Sequence, residues 1–594
     1  MKKIIKEYKW DILIIIFLIV FGCFQVLRNY GPGLYYDAVN PDNLALQVLN
    51  GKLKCNHFPF LGQIYHGTIT IWLQIFIILL VGKANILTLR FANIFYVIIT
   101  LISFYLICKK MKFNKYIVGL FLIALVLSPH VFLFIRTQYY IKLPGAMFIT
   151  LSLLFSIENN KRKSHKIWIF LSSLCAGLAF YSYFIYLFYF PVLVGIFIYY
   201  EIKNKHILIR DIIVYLMGYI GGILLYILGY LNIFISAFSY PTETITNIFN
   251  CVALSVITIY ILLLGFIFLK YDSKIMPKII IPSGIVIFII TMIILIIKRS
   301  FIVNVMKPLL TIVNVSGVTL GFKDRVIRLY DFFVNSIKNI PLENQVLGKC
   351  ISILSNIPLL LLLIGTIIII IIICKKGINE NYKDKLLLLL FFVLFLFSFL
   401  IFSIFFISRM GNQHFTYISF IIMFTITIEF ELINDIFKKK YITFIIYLIP
   451  LILISINIYN TRLISKEITK CGGYDYYSSE INSFSLNALN SKTLYKEVYI
   501  FKDWGLYTGF NYLTNDKITI ESYDIDKVKD YISNKQIVHI LIWKEDSKLL
   551  INDLEENNIK YEFTQYYDKK ENKIFSEYKC VSIIERNIKS KKTK

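Results

Sequence analysis

Charged residues are scarce in this chain of 594 residues, where only 17% are Asp, Glu, Lys or Arg and 57% are hydrophobic. The mean hydropathy is +0.67. Long runs such as Leu359 to Cys374 and Leu386 to Ile407 lack the polar face that a helix in water would have. This lack excludes a water-soluble globular protein. The apolar blocks are about 17 to 25 residues long, which is the length that crosses a bilayer as a helix.

Cysteines at metal-binding spacing are also absent. The nine cysteines show no CxxC pattern and several lie inside apolar runs, so neither a zinc site nor a disulfide framework is indicated. Cys471 and Cys580 could pair, although two free thiols fit the sequence at least as well. We predict no metal site and no cofactor, while a divalent cation held by Asp37 and a second carboxylate stays open. No cleavage site follows the first apolar block, so we expect a retained anchor.

Acidic residues are fewer than basic ones, 37 against 63, and the net charge is +26. In a soluble protein this excess would suggest a nucleic-acid partner. Here many basic residues lie in short links between apolar blocks, which is the pattern of cytoplasmic loops. The links are residues 2–9, 109–115, 158–166, 203–206, 270–278, 375–385 and 438–440. We therefore expect no nucleic-acid partner, and a multi-pass protein of the cell (plasma) membrane with a cytoplasmic N-terminus.

Placing every basic link in the cytoplasm predicts a polytopic α-helical protein with about thirteen crossings. The predicted spans are residues 11–27, 86–108, 116–134, 142–157, 167–182, 184–200, 211–231, 250–269, 279–297, 352–374, 386–407, 415–433 and 441–459. The block at 64–82 is not counted, because one more crossing would move the later links outside. Its polar stripe of His66, Thr70 and Gln74 predicts an in-plane or re-entrant helix.

With a cytoplasmic N-terminus, an odd number of crossings places the part after the last span outside the cytoplasm. The chain is therefore predicted to consist of a transmembrane module, residues 1–459, and an extracytoplasmic domain, residues 460–594. In the second part polar residues return and apolar stretches shorten to strand length. The predicted strands are EVYIF (497–501), KITIES (517–522), IVHILIW (537–543), IKYEFTQYY (559–567) and KCVSIIE (579–585). Two helical segments, at 524–533 and 548–558, alternate with them. The alternation predicts a C-terminal α/β domain.

Ionisable and polar groups then gather at the outer face, in the first outer loop (28–63) and at span ends. They are Asp37, Asp42, His57, His66, Arg90, Arg136, Lys142, Arg409, Gln413 and His414. Polar groups at membrane depth are costly unless they are paired or line a watery cavity. Arg90 has apolar neighbours on both sides, which favours a paired or functional role.

Each candidate also has a structural interpretation. Lys142 and Arg409 suit lipid-phosphate anchors. Asp37 suits a turn or helix N-cap as well as it suits a catalytic role, and capping is favoured for Asp42. His57 and His66 suit interfacial contacts at least as well as ligation or catalysis. The tyrosines of residues 180–190 are expected to form an interfacial aromatic belt.

At these positions the chain resembles the GT-C class of membrane glycosyltransferases, in the protein mannosyltransferase and aminoarabinose transferase branch (glycosyltransferase family 39-like). The resemblance rests on YYDAVNPDNLALQVLNG in the first outer loop, on HFPFLGQIYHG, and on the step from Gly82 to Arg90. Later landmarks are SPHVFLFIRTQYY, AGLAFYSYFIYLFYFPVLV, GNQHFTYISFIIMF and FKDWGLYTGFNYLT. Thirteen spans with an outer C-terminal domain also match the class.

The resemblance implies transfer of a sugar from a polyprenyl-phosphate donor to a hydroxyl of a lipid, glycan or protein, with inversion at the outer face. By position Asp37 would be the general base. Arg90, together with Arg136 or Lys142, would bind the donor phosphate. The remaining candidates, Asp42, His57, His66, Arg409, Gln413 and His414, would contact donor or acceptor. Many members carry an acidic pair in the first loop, whereas Ala38 follows Asp37 here.

Two other functions fit the same residues. A lipid or solute transporter or flippase also has intramembrane arginines and carboxylates, although no internal repeat is visible in the sequence. A polymerase or ligase of lipid-linked polysaccharide would use a long outer loop between late spans, such as residues 298–351.

Overall fold

The structure is a computed structural model that describes most of the chain. The described residues are 2–28, 31–34, 36–52, 67–136, 143–158, 165–204, 209–236, 321–335, 356–376, 382–405, 412–473, 477–491, 496–503, 505–543 and 547–581. Within them the chain is mostly helical and ends in a five-stranded sheet.

The first helices, up to the long gap at 237–320, are α1 (Lys2–Leu27), α2 (Tyr36–Leu49), α3 (Ile69–Val81), α4 (Ile86–Lys110), α5 (Lys115–Val126), α6 (Pro129–Phe134), α7 (Leu143–Glu158), α8 (His165–Ser182), a 3-10 helix (Phe184–Tyr189), α9 (Phe190–Asn204) and α10 (Ile209–Ser236). The later ones are α11 (Phe322–Asn335), α12 (Ile357–Lys376), α13 (Lys383–Phe405), a 3-10 helix (Asn412–Phe415), α14 (Thr416–Phe437), α15 (Lys440–Cys471), α16 (Glu480–Asn490), α17 (Leu506–Leu513), α18 (Ile525–Ser533) and α19 (Ser547–Glu556).

Seven of the described helical segments are long and apolar enough to cross a membrane. They are Tyr8–Leu27, Ile86–Lys110, Phe184–Lys203, Ile357–Cys374, Lys383–Ile404, Thr416–Phe437 and Lys440–Cys471. The protein is therefore a multi-pass membrane protein, as the sequence predicts. The total of thirteen stays a prediction, because the predicted spans at 250–269 and 279–297 lie outside the described residues.

The most buried spans are α14, the span Phe184–Lys203 and α4, which are 94%, 72% and 67% buried, against 22% for α12 and α15. Phe104 of α4 stacks on Phe424 of α14 with ring centroids 3.9 Å apart. Lipid tails are as apolar as the side chains, so close packing of this kind, not exclusion of water, drives the assembly of such helices. The outer helices show apolar side chains to the lipid instead.

Two predicted spans are not single α-helices. The span at 116–134 is broken, because α5 ends at Val126 and α6 begins at Pro129. Ser128 caps α6, since its hydroxyl accepts a hydrogen bond from the N–H of Val131, and Pro suits the first helical position. The span at 184–200 begins as a 3-10 helix.

The C-terminal sheet has strands β1 (Glu497–Phe501), β2 (Thr519–Ser522), β3 (Ile537–Trp543), β4 (Tyr561–Tyr567) and β5 (Lys573–Cys580). Their order is β2-β1-β3-β5-β4, with β1 parallel to β2 and β3, and β5 antiparallel to β3 and β4. Alternate residues face opposite layers. Val498 and Ile540 pack under α18 and α19, whereas Tyr499 and Leu541 pack under α16 and α17. The predicted α/β architecture is confirmed.

The last strand is displaced from its predicted position at 579–585. A turn in which the Asp568 carboxylate accepts hydrogen bonds from the N–H groups of Lys570 and Asn572 starts β5 at Lys573. The sequence of β5 does not show the expected alternation of apolar residues, because polar Ser576 and Glu577 are buried. Both form hydrogen bonds with side chains of neighbouring strands. Residues 582–585 lie outside the described part.

Helix α15 joins the bundle to the sheet. It runs through residue 459 to Cys471, about 48 Å at 1.5 Å per residue, which exceeds the thickness of a hydrocarbon core. Near its end, Glu467 forms an ion pair with Lys570, at 2.9 Å. Cys471 and Cys580 are both free thiols, so the unpaired alternative is observed. The division at residue 459/460 stays a prediction.

Helices α8 and α10 meet through glycines, and this contact gives a test of the packing. A Cβ atom at Gly222 would lie 2.4 Å from the carbonyl oxygen of Leu174, whereas one at Gly221 would lie 3.5 Å from the nearest atom, Leu174 Cδ1. We expect Gly222→Ala to lower the thermal unfolding midpoint of the detergent-solubilised protein, because the backbones must separate. Gly221→Ala should leave the midpoint unchanged or raise it, since Ala favours helix. Equal midpoints would contradict this packing.

Candidate functional site

Arg90 lies one turn inside α4, and the start of that helix is fixed by a capping box. The side-chain oxygen of Asn85 accepts hydrogen bonds from the N–H groups of Leu87 and Thr88, while the Asn85 N–H donates to the Thr88 hydroxyl. The Arg90 side chain is only 1% exposed. It donates from Nη2 to the carbonyl oxygen of Gly31 at 3.0 Å. It therefore holds the segment that leads into α2, and its proposed functional role stays a prediction.

Arg136 lies just after α6 and ties that turn to the end of α1. Its Nη2 donates to the carbonyl oxygens of Gln25 and Val26, at 2.6 and 3.2 Å, and its Nη1 donates to that of Phe132 at 3.0 Å. The carbonyls at a helix C-terminus lack intrahelical partners and carry partial negative charge. Arg136 thus satisfies the end of α1, and its buried guanidinium is held in one orientation.

Two further arginines complete what we call the arginine cluster: Arg28, Arg90, Arg136 and Arg462. Burial, and then the positive charges of Arg90 and Arg28, lower the pKa of Arg136. Burial and the charge of Arg462 lower the pKa of Arg28. Among the described residues neither Arg28 nor Arg462 pairs with a carboxylate. Four guanidiniums that repel one another are thus assembled at one end of the bundle, which is an environment that attracts anions.

The sequence interpretation missed Arg28 and Arg462. Arg28 follows the first apolar block directly, and Arg462 lies beyond the predicted end of the last span at residue 459. A signal was present, because Ile464 and Ile468 continue the helical spacing of buried residues in α15. Extending that helix by two turns would have placed Arg462 at the outer end of the bundle.

Helix α2 carries both aspartates of the first outer loop. The backbone of Asp37 lies in the first turn of α2, and its side chain is outside the described part. Asp42 is in the middle of the helix and 2% exposed, so its interpretation as an N-cap is wrong. The helix begins earlier because Pro41 is accommodated inside it. Pro41 has no N–H to donate to the carbonyl of residue 37.

Helix α17 of the C-terminal region docks on this site. Asn511 donates to the side-chain oxygen of Asn43 on α2, at 2.7 Å. The buried hydroxyl of Tyr512 accepts from Gln74 of α3 at 3.0 Å and donates to the carbonyl of Asn85 at 3.1 Å. Burial and the charge of Asp42 raise the pKa of Tyr512. One helix of the C-terminal region therefore holds α2, α3 and the cap of α4 together.

The polar stripe predicted for residues 64–82 explains how helix α3 is oriented. In α3, Thr70 and Gln74 are buried, whereas Trp72 and Phe76 on the other side are exposed. The polar side faces protein and the apolar side faces outward. Whether α3 lies in the plane or re-enters the membrane stays a prediction.

The tyrosines of residues 180–190 are not an interfacial belt. Tyr183 and Tyr189 are fully buried, and Tyr189 packs edge-on against Tyr417 of α14. The Tyr183 hydroxyl lies 2.6 Å from Nδ1 of His414, and the two rings stack. The belt interpretation is wrong because this segment is covered by α13 and α14 and does not reach the surface.

The structure places the other candidates as follows. The backbone of Gln413 is in the 3-10 helix that also holds His414, and its side chain is outside the described part. His57, His66, Lys142 and Arg409 lie outside the described residues. Within the described ranges no group of three or more His, Cys, Asp or Glu could hold a metal ion. Arg90 and Arg136 are the predicted residues that the structure brings together.

No protein-family model matches the chain, and no curated protein matches its sequence. Solved structures do match. The apo oligosaccharyltransferase of Archaeoglobus fulgidus has a TM-score of 0.52 and 11% identity, over 94% of this chain and 70% of that one. The fold is that of the GT-C glycosyltransferases. The resemblance noted in the sequence is confirmed at this level, since 11% identity shows the fold alone.

Two further structures are similar at lower scores. The Archaeoglobus fulgidus oligosaccharyltransferase AglB, in complex with an inhibitory peptide and a dolichol-phosphate, has a TM-score of 0.49 and 10% identity, over 94% of this chain and 70% of that one. ArnT from Cupriavidus metallidurans bound to undecaprenyl phosphate has a TM-score of 0.42 and 9% identity, over 96% and 98%.

The Tyr512 hydroxyl offers a test of the docking of α17. Tyr512→Phe keeps the ring but removes the hydroxyl that accepts from Gln74 and donates to the Asn85 carbonyl, so we expect a loss of about 1 to 3 kcal/mol of stability. Tyr567→Phe, an exposed tyrosine of β4, is the matched control. Thermal unfolding of both purified variants measures the difference. Identical midpoints would refute the role given to the hydroxyl.

Proposed function

We propose that this protein is a glycosyltransferase that moves a sugar from a polyprenyl-phosphate donor to an acceptor hydroxyl at the outer membrane face, with inversion. The observation that carries the proposal is the arginine cluster at one end of a GT-C fold. Isolated cations are costly at membrane depth. Departure of a polyprenyl phosphate needs positive charge where the leaving oxygen becomes negative.

The arginines divide into a fixed pair and an accessible pair. Arg90 and Arg136 are buried and oriented by main-chain carbonyls, so they need little rearrangement when charge develops on the leaving group. Arg28 is half-buried and Arg462 is exposed. We assign donor-phosphate binding to all four, because the planar guanidinium matches phosphate oxygens. Lys142 remains a fifth candidate from the sequence.

Asp37 is the proposed general base. Its carboxylate accepts the proton of the acceptor hydroxyl while the oxygen attacks the anomeric carbon. The bond from that carbon to the donor phosphate breaks, and the polyprenyl phosphate leaves with the electron pair. Attack from the side opposite to the phosphate inverts the carbon. The hydrogen bond from Arg90 to the carbonyl oxygen of Gly31, just before α2, links the helix of the proposed base to the arginines that we assign to the phosphate.

The other candidates receive secondary roles. After burial, the negative charge of Asp42 contributes to the raised pKa of Tyr512 in α17. This closeness supports a role of Asp42 in holding α2. His414, bonded to Tyr183, is a proposed donor or acceptor contact, as are His57, His66, Arg409 and Gln413. The docking of α17 supports a role of the C-terminal region in forming the acceptor side, whether the hydroxyl belongs to a lipid, a glycan or a protein.

For a transporter or flippase we would expect charges near the membrane midplane, and the arginine cluster lies at one end of α1, α4 and α15. Most of the loop that a polymerase or ligase would use, residues 298–351, is outside the described part.

The base assignment predicts that Asp37→Asn lowers turnover by about 10² to 10⁴-fold. The assay uses membranes that contain the protein and a panel of labelled polyprenyl-phosphate sugars, and it measures transfer to endogenous hydroxyl acceptors. Asp526→Asn, at an exposed aspartate of α18, is the matched control. Near-normal turnover of the Asp37 variant at normal expression would remove Asp37 from this role.

The cluster predicts that Arg28→Gln and Arg462→Gln each reduce kcat/KM for the donor by about 10- to 100-fold, as expected for a lost charge-assisted hydrogen bond. Arg210→Gln, at an exposed arginine of α10, serves as the control. The same donor panel provides the assay. Unchanged donor kinetics in both cluster variants would show that these two arginines do not touch the phosphate.

A further inference from the structure

A second charged cavity lies at the opposite end of α4 from the arginine cluster. It has a volume of about 560 Å³ and is formed where α1, the turn between α4 and α5, and α14 meet. Arg90 and Lys109 are separated by about 29 Å along the helix, close to the thickness of a hydrocarbon core. The cavity therefore lies at the other membrane surface, and it is separate from the site described above.

The carboxylates of this cavity already have cationic partners. Asp11 is 2.7 Å from Nζ of Lys109. Glu431 and Asp435 both contact Lys385, with Glu431 at 3.2 Å. Glu431 also accepts a hydrogen bond from the N–H of Asn114. Each of the three carboxylates therefore contacts a lysine, and Glu431 and Asp435 share one.

Two other lysines of the cavity, Lys112 and Lys115, form no ion pair with a carboxylate of the described residues. Lys115 lies over the ring of Tyr116. Lys112 ends α4 in the left-handed conformation, with φ of 58°. Glycine is the residue that fits this position at least cost. A lysine there costs conformational free energy relative to glycine.

The aromatic residues around the cavity indicate its depth. Tyr8, Trp10 and Tyr116 are 40 to 44% exposed, and the rings of Trp10 and Tyr116 meet edge to face at 5.5 Å. Exposed Trp and Tyr side chains concentrate at the level of the lipid head groups. The opening of the cavity is therefore at the depth where phospholipid phosphates lie.

We propose that this cavity binds the head group of an anionic phospholipid, with Lys112 and Lys115 on the phosphate and the tyrosines beside the glycerol. Basic pockets between helices at a membrane surface recognise head groups in this way. The site is independent of the glycosyltransferase function. It would hold one lipid at the junction of α1, α4 and α14, at the far end of the helices that carry Arg28 and Arg90.

The test uses the full-length protein in detergent, titrated with phosphatidylglycerol, phosphatidylcholine or inorganic phosphate and read by native mass spectrometry. The double variant Lys112→Gly, Lys115→Gln removes both charges, and glycine suits the left-handed turn, so the fold is kept. We expect it to lose phosphatidylglycerol affinity by about 30-fold, as two lysines near a lipid phosphate imply.

The control is Lys438→Gly with Lys166→Gln. Lys438 is also exposed and left-handed, with φ of 48°, and it ends α14 at the same side of the bundle. This control variant removes two positive charges, as many as the test variant, from residues that do not line the cavity. An equal loss in both double variants would show general attraction of basic residues and would overturn the proposal. So would equal binding of phosphatidylcholine by the wild type, or binding of inorganic phosphate as tight as that of the lipid.

Discussion

The cost of collecting positive charge at one end of an apolar bundle is the constraint on which the rest of this structure depends. Burial, and then the positive charge of neighbouring guanidiniums, lowers the pKa of Arg28 and of Arg136. Main-chain carbonyls offset part of that cost, at the end of α1 for Arg136 and before α2 for Arg90. These bonds fix where α1, α4 and α6 end or begin relative to one another. The arginines are therefore structural ties as well as candidate ligands for an anion.

The C-terminal region takes part in the same arrangement. Helix α17 contacts α2, α3 and the cap of α4 through Asn511 and Tyr512, and Asp516 at its end pairs with Lys52. Phe501, in the sheet behind α17, packs against Phe510 of that helix. The candidate site is consequently held from two sides, by the membrane helices and by the region after α15, so changes in that region should affect the proposed base helix without touching it.

The two ends of α4 treat charge differently. At the arginine end, Arg90 and Arg136 donate to main-chain carbonyls. At the lysine end, Asp11 pairs with Lys109, and Glu431 and Asp435 both pair with Lys385, whereas Lys112 and Lys115 form no ion pair with a carboxylate of the described residues. At both ends of α4, cations are proposed to lie near lipid phosphates. The arginines form a buried cluster, whereas Lys112 and Lys115 lie at the opening of the cavity. The same apolar helix thus connects a proposed reaction site with a proposed lipid site.

Hydropathy and charge determined the membrane class, most helix positions and the α/β character of the last part, because apolar runs and period-two alternation depend only on local sequence. The buried state of Arg90 was also predictable, since its neighbours are apolar. Contacts between distant segments were not. Arg28 and Arg462 join the cluster only because α1 and α15 both pack against α5. Tyr183 is buried by α13 and α14, and Asp42 lies within a helix that tolerates Pro41. β5 is defined by partners of Glu577 on other strands. The sequence alone determined the membrane class and most of the membrane helices, and the tertiary structure decided which charges share one site, because proximity between segments depends on packing.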